Sequence, residues 1–364
     1  MKFGLFYEMY VPPEDHAEEA RVVRQTVDQI VHADKHGWDY VWLTEHHFLR
    51  GFSHMSAPEV VFGAAAYATQ HIRFGFGLAL TPPQYNHPVR IAERVAMLDC
   101  LSGGRVDLGS GRSTTPAELY GFGIDPETSR AQWDEGLEAV AQLLAGENVA
   151  LDGEFVKMPP RTTYPRPVQQ PHPPLWVGGV GPGNAERAAK RGLGMLFFVI
   201  KADPGSLTAS IAAYQENIGQ AEPICGAVNN QTAGFVNGLC GYDRDPVRSL
   251  AAAKTVEHTF AGNLHMLNGW PGGTPTPSYA HVGAGETKMF YDAIKADPQG
   301  VADSLLEGGF VMAGTPEDCA KTLDGFRQAG VDQVIIHMQM GNVPHERIME
   351  SIELIGRELI PSFR

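Results

Sequence analysis

Strand-like and helix-like segments alternate through this chain, and that alternation restricts its fold more than any other feature. Apolar, β-type runs occur at residues 3–7, 40–43, 72–80, 106–109, 175–179, 195–200, 233–239 and 334–337. Helical patterns lie between and after them, at 16–36, 58–69, 88–101, 129–144, 185–191, 315–329 and 346–359. The first helix sets Val22, Val23, Val27, Ile30 and Val31 on one face. Pro58 opens one helix near its first turn, and Ser102-Gly103-Gly104 stops another. Eight strands, each followed by a helix or by an insertion and a helix, predict a (β/α)8 TIM barrel over 364 residues. An open, doubly wound sheet competes with it, because periodicity does not report closure. No linker or repeat divides residues 1–364, so a single domain is expected.

Two stretches fall outside the alternation. Residues 152–174 form a proline-rich excursion before the fifth strand. Residues 258–300, after the seventh, are rich in Gly, Pro, Asn and Thr and carry Phe260, Trp270, Tyr279 and Phe290. Long irregular connections inside a compact domain are functional or disordered, and aromatics favour a lid over the active site. A surface loop tied into a subunit contact is the plainer alternative.

Bulk properties exclude several classes. A net charge of −14 argues against a nucleic-acid or anionic-membrane surface while leaving room for a local basic pocket. Cys100, Cys225, Cys240 and Cys319 are widely spaced, without a CxxC pair, so neither a zinc site nor a disulfide framework is indicated. No apolar run approaches a membrane span, and the N-terminus enters a strand at once. A cytoplasmic location is expected.

The second strand ends in a cluster of chemistry-bearing residues. In WDYVWLTEHHF, residues 38–48, a buried run delivers Glu45, His46 and His47 to the end of a parallel strand where ligands collect. The two histidines are neighbours and point to opposite faces. No HxH or HExxH pair completes a metal shell, so no metal is expected. A second candidate is the strand–turn–helix segment 175–192, with Gly178-Gly179-Val180-Gly181-Pro182-Gly183-Asn184 at the turn. Its glycines and helix N-terminus suit a phosphate, although neither GxGxxG nor GKS/T is present. Arg112, at another strand end, and Arg130, opening a helix behind Ser129, supply cations. An arginine gains nothing from the dipole at a helix start, which makes an anionic partner plausible.

Together these pieces resemble the bacterial luciferase-like, flavin-dependent monooxygenase family. The resemblance runs through Met1-Lys2-Phe3-Gly4, VWLTEHHF, Asn86-His87-Pro88-Val89-Arg90, Leu98-Asp99-Cys100-Leu101-Ser102-Gly103-Gly104-Arg105 and Gly121-Phe122-Gly123. It continues through Gly111-Arg112, Ser129-Arg130, the glycine turn and Ala313-Gly314-Thr315-Pro316-Glu317. It implies a (β/α)8 barrel. His46 falls on the active-site histidine beside the flavin, with Glu45 and His47 on its neighbours. Arg112 falls on an arginine near the flavin ring and substrate, and Arg130 on a phosphate-binding arginine. A non-prolyl cis peptide behind the flavin maps to about Gly77-Leu78. Val180-Gly181 replaces Glu-Ser before the phosphate helix, so a phosphate would rest more on backbone N–H groups around Val180, Gly181 and Gly183, and on Asn184. Gly111 stands where luciferase has a cysteine, and an aliphatic residue near Val199 where it has a tryptophan, so no light emission is expected.

The resemblance implies reduced FMN and dioxygen as cosubstrates, reacting through a flavin C4a-(hydro)peroxide to oxygenate a small apolar aldehyde- or ketone-type substrate. It also implies a separate NAD(P)H:flavin reductase and a homo-oligomer. A deazaflavin-dependent hydride-transfer enzyme and a non-catalytic flavin-binding protein are the alternatives.

Overall fold

The computed structural model describes residues 1–12, 17–198 and 204–364. Its first half contains β1 (Lys2–Tyr7), α1 (Glu18–Lys35), β2 (Tyr40–Leu43), α2 (Pro58–Ala68), β3 (Arg73–Leu80) and α3 (Pro88–Ser102). Next come β4 (Val106–Gly111), α4 (Pro116–Gly121), α5 (Ser129–Ala145), β5 (Val149–Asp152), β6 (Lys157–Arg161), β7 (Leu175–Gly179) and α6 (Pro182–Lys190). The chain continues with β8 (Gly194–Phe197), α7 (Pro204–Ile218), β9 (Thr232–Cys240), α8 (Arg244–Leu267), α9 (Ala280–Ala284), α10 (Glu286–Ala296) and α11 (Pro298–Glu307). It closes with β10 (Val311–Gly314), α12 (Pro316–Ala329), β11 (Gln333–His337), α13 (His345–Leu354) and α14 (Ile360–Phe363).

Eight of these strands close a parallel barrel in the order β1-β2-β3-β4-β7-β8-β9-β11, with β11 returning to β1. Pairing of Met195–Phe197 with Thr232–Gly234 supplies the closure that periodicity left open. The lumen is filled rather than hollow: Phe6, Tyr40, Trp42, Trp176, Leu196, Ala233 and Ile335 pack together. Trp42 takes so much of that space that a Cβ at position 75 would lie 2.2 Å from its ring, which leaves only glycine there. Truncating this fully buried tryptophan should cost about 3–5 kcal/mol. At the amino-terminal end of the barrel, buried Asp107 accepts from Arg73 and from Trp176 Nε1, so that end is devoted to holding strands together.

Local signals explain several helix limits. His87 precedes Pro88 at the start of α3, and Gly103, at φ 69°, ends it with N–H bonds to Asp99 and Cys100. Thr315 and Asp318 form a reciprocal capping box on α12.

Four expectations need correction. The excursion 152–174 is preceded and entered by an antiparallel β5–β6 hairpin. The stretch 258–300 is largely helical: α8 runs unbroken to Leu267, α10 and α11 follow, and irregular backbone is concentrated between 268 and 279. Gly and Pro cluster in that short span, while the flanking sequence keeps a helical period. β10, absent from the sequence reading, pairs with Asn237–Cys240; four residues beside a glycine are too few to show a period. The glycine turn is shorter than expected, because α6 already begins at Pro182. The start of the first helix at His16 and the end of the sixth strand, with Val199 and Ile200, lie outside the described residues.

Candidate active site

The carboxyl end of the barrel gathers two charged regions built on opposite principles. The first is the end of β2. Glu45 is buried, and its carboxylate is fully engaged: Oε2 accepts from the Leu80 N–H (2.8 Å) and Oε1 from Asn86 Nδ2 (2.7 Å). His47 Nε2 also lies 3.3 Å from Oε1. Glu45 therefore fastens the ends of β2 and β3 together, and His47 packs on Phe122 and Tyr85. His46 turns the other way, as alternation requires, toward Phe52 and Glu8.

His46 is held by a residue that sequence reasoning missed. Glu118, fully buried on α4, accepts from His46 Nδ1 at 3.0 Å and from the His47 N–H at 2.9 Å. Its other oxygen accepts from Ser113 Oγ and Thr115 Oγ1 at 2.5 and 2.6 Å. Burial alone would raise the Glu118 carboxyl, but His46 and the two hydroxyls hold it down at about 2. Burial alone would disfavour the His46 imidazolium; Glu118, and behind it Glu8 and Glu45, reverse that and move His46 upward. A fixed ring with one nitrogen on a buried carboxylate leaves the other, Nε2, to exchange protons at the barrel mouth.

Glu8, just beyond β1, lies 3.9 Å from His46 Nε2 through Oε1, while its Oε2 accepts from His258 Nε2. Burial favours the neutral acid here, and the His258, His337 and His46 rings overcome it, so Glu8 is lowered. His337, at the end of β11, is buried beside His258 and drops to about 3 through burial and the His258 charge. Ligand atoms of Glu8, His258 and His337 lie within 4.8 Å of one another, a grouping that no HxH motif announced. Another such grouping, His32, His36 and Glu353, joins α1 and α13 on the outside.

The second region is a small open cleft of ≈ 40 Å³ alongside α6, lined by Arg130, Trp133, Gly178, Asn184, Arg187 and Arg191. Gly181 adopts φ 79°, which turns the chain into the helix; Pro182 has no N–H, and the first helical bond runs from Ala185 to Gly181. The Gly183 and Asn184 N–H groups thus point forward unpaired among the described residues. Asn184 Nδ2 donates to the Val180 carbonyl, so this side chain shapes the turn, and Val180 is exposed. Arg191 is paired with Asp134 and Glu138, whereas Arg130 and Arg187 make no hydrogen bond or ion pair among the described residues. Partial desolvation and the charges of Arg112 and Arg187 lower the Arg130 guanidinium, with Asp134 only partly offsetting them.

Arg112 connects the two regions. Its Nη1 donates to Ser129 Oγ at 2.8 Å, and its guanidinium sits 4.5 Å over the Tyr279 ring. Buried Tyr279 shares a 3.0 Å bond with Ser129 and donates to the Ser113 carbonyl, one residue from Arg112 and on the residue that serves Glu118. Trp270 is buried in the same cluster, while Phe260 and Phe290 pack against the main core. The Gly77–Leu78 peptide bond in β3 is cis. The Leu78 side chain lies within 2.9 Å of where a Cβ would sit at Gly111 or Gly178, so these glycines keep that wall of the mouth flat.

A sequence profile of the luciferase-like monooxygenase family matches residues 1–333. The chain belongs to that family. Among its relatives, limonene 1,2-monooxygenase of Rhodococcus erythropolis is 26% identical over 99% of this chain and 86% of its own. The oxygenase component of the flavin-dependent trigonelline monooxygenase of Acinetobacter baylyi is 30% identical over 53% of this chain and 52% of its own. The monooxygenase RslO1 from Streptomyces bottropensis superposes over the full length of both chains with TM-score 0.79 and 25% identity. The coenzyme F420-dependent tetrahydromethanopterin reductase of Methanopyrus kandleri shares the fold, with TM-score 0.69 and 20% identity over 100% of this chain and 99% of its own.

In this family member the structure brings His46, Glu45 and the Gly77–Leu78 peptide to one mouth, with Arg112 at its side. It sets Arg130 and Asn184 around the cleft, with Gly183 in the first turn of α6 beside it. Glu8, Glu118, His258, His337 and Arg187 escaped sequence reasoning. For Arg187 a signal existed: it lies on the same helix proposed to hold a phosphate, in its last turn.

Proposed function

We propose that this protein is the oxygenase of a two-component system, taking reduced FMN and dioxygen to oxygenate an organic substrate. One observation carries the reading: a cleft beside α6, where Arg130 and Arg187 have no partner among the described residues, neighbours Arg112 and an imidazole fixed by a buried carboxylate. The residues fit FMN. Arg130, Arg187 and the Gly183 and Asn184 N–H groups would hold its phosphate. The flat wall at Gly77–Leu78, Gly111 and Gly178 would back its ring, with Arg112 beside it. When bound, the reduced flavin supplies the electrons that activate oxygen.

The chain's own residues do the rest. His46 Nε2 gives and takes the proton at the mouth, and Glu118 keeps the ring oriented and its imidazolium favoured. Glu45 positions, through its bonds to Leu80 and Asn86, the loop that carries His46. Residues 268–285, anchored by Trp270 and Tyr279, act as a lid that limits water at the mouth. The relative named as an oxygenase component supports a separate reductase as the electron source. No helix among the described residues is long and apolar enough to cross a membrane.

Anaerobic titration with reduced FMN and with reduced F420, followed by rapid mixing with oxygen, tests the reading. Retention of reduced FMN and a protein-dependent course of flavin reoxidation are expected. Retention of F420 alone, with no effect on FMN oxidation, would move the chain to hydride transfer.

A further inference from the structure

Glu8 is the least satisfied charge at the barrel mouth. Its Oε2 is occupied by His258 Nε2, but Oε1 faces His46 Nε2 across 3.9 Å, beyond hydrogen-bonding range. One oxygen atom seated roughly 2.8 Å from each would bridge that gap. Both side chains across the gap are partly exposed, at 12% and 20%. Beneath it, His258 Nδ1 and His337 Nε2 are buried with no hydrogen-bond partner among the described residues. His337 Nδ1 donates to Asn237 Oδ1, which leaves Nε2 as a lone-pair acceptor. Phe6, Phe52 and Phe235 pack on these imidazoles and supply apolar walls.

We propose that the mouth binds a hydroxyl group of the organic substrate, an alcohol or phenol, with Glu8 Oε1 as acceptor and His46 Nε2 as donor. The assignment rests on the oxygenase reading above, since it takes the ligand at this mouth to be the substrate. Other chemistries fit less well. A wholly apolar ligand would cover Glu8 and leave it unsolvated, a large cost for a carboxylate. A carboxylate ligand would be repelled by Glu8. An ammonium group could donate to Glu8 but could accept nothing from His46, whose own protonated form would repel it. Of these groups, a hydroxyl alone both donates and accepts at one atom. Glu8 is suited to accept because the bond from His258 and the charge of His46 lower it against its burial.

The test uses the full chain with FMN present and two matched probe pairs: phenol against anisole, and cyclohexanol against methoxycyclohexane. Binding is followed by saturation-transfer NMR and competition. The hydroxyl member of each pair should bind at least about tenfold tighter in the native protein. That ratio should collapse toward one in Glu8→Gln, and Glu8→Leu should confirm it if Gln retains some acceptor strength. Equal binding within pairs, undetectable binding of both hydroxyl probes, or an unchanged ratio in a folded Glu8 variant would overturn the proposal. So would a stoichiometric Co²⁺ spectrum, abolished by Glu8→Gln, in a protein without hydroxyl preference; it would give the cluster to a metal. FMN titration of the same samples separates the two readings. Hydroxyl preference without FMN binding removes the oxygenase function alone, and FMN binding without hydroxyl preference removes only the substrate assignment.

Discussion

The barrel mouth and the α6 cleft both concentrate charge, and they differ in who neutralises it. At the mouth, acids and imidazoles are buried or half-buried and compensate one another: Glu118 has four donors, and its partner His46 is raised in consequence. At the cleft, Arg130 and Arg187 are exposed, unpaired among the described residues, and set beside free helix N–H groups. Buried charge must be compensated within the fold because water cannot reach it, whereas exposed charge can await a ligand. The mouth is therefore neutralised from within, whereas the cleft keeps two cations with no partner among the described residues.

The comparison breaks most visibly at His46. His46→Ala should lower turnover on the order of 10²-fold or more, with FMN affinity nearly unchanged, because it removes a proton carrier but no phosphate contact. His47→Ala should cost far less, since His47 packs against Phe122 and Glu45. Equal effects in a turnover assay would remove His46 from its role. At the cleft, Arg130→Ala should weaken reduced FMN roughly 10- to 100-fold, with Arg187→Ala adding to it. Riboflavin, which has no phosphate, should bind native and variant proteins alike. A parallel loss of riboflavin binding would make Arg130 structural.

Glu118→Gln sharpens the mouth side. Without the carboxylate, the His46 titration midpoint should fall, as followed by histidine NMR. The native protein gains stability from His46 fully below its ordinary value of 6.5 and loses it as pH rises through the raised folded value. Glu118 works in the opposite window: its contribution is present above 4.5 and is lost as pH falls toward 2. Urea midpoints across pH should show both slopes in the native protein and flatten in Glu118→Gln, with a net loss of about 1–3 kcal/mol near neutrality. Persistence of the native slopes would mean that other groups carry the pH dependence. The smallest effect belongs to the junction. Tyr279→Phe keeps the ring under Arg112 and removes the hydroxyl bridge between Ser129 and Ser113, costing about 0.5–1.5 kcal/mol. It should raise hydrogen peroxide release relative to product if residues 268–285 form a lid; unchanged coupling of oxygen use to product would count against one.

Reading the sequence located the frame better than the chemistry. Proline starts, glycine stops and apolar periods placed the eight barrel strands, because each is encoded by residues a few positions apart. His46, Arg112 and Arg130 were visible because they sit at strand ends or a helix start, where local context marks them. The aromatics of residues 258–300 were visible as a group, but not their roles: Tyr279 reached the arginines while Phe260 and Phe290 joined the core.

What the sequence determined by itself was the succession of elements and the turns that join them, since hydrophobic period and turn chemistry act over a few residues. Only the tertiary structure decided the partners. Glu118 meets His46 across 72 residues and Glu8 meets His258 across 250, and nothing in either neighbourhood distinguishes those acids from solvated ones. Barrel closure brings them together; burial then strips their water, and at that point an ordinary glutamate becomes the group that sets a histidine's charge.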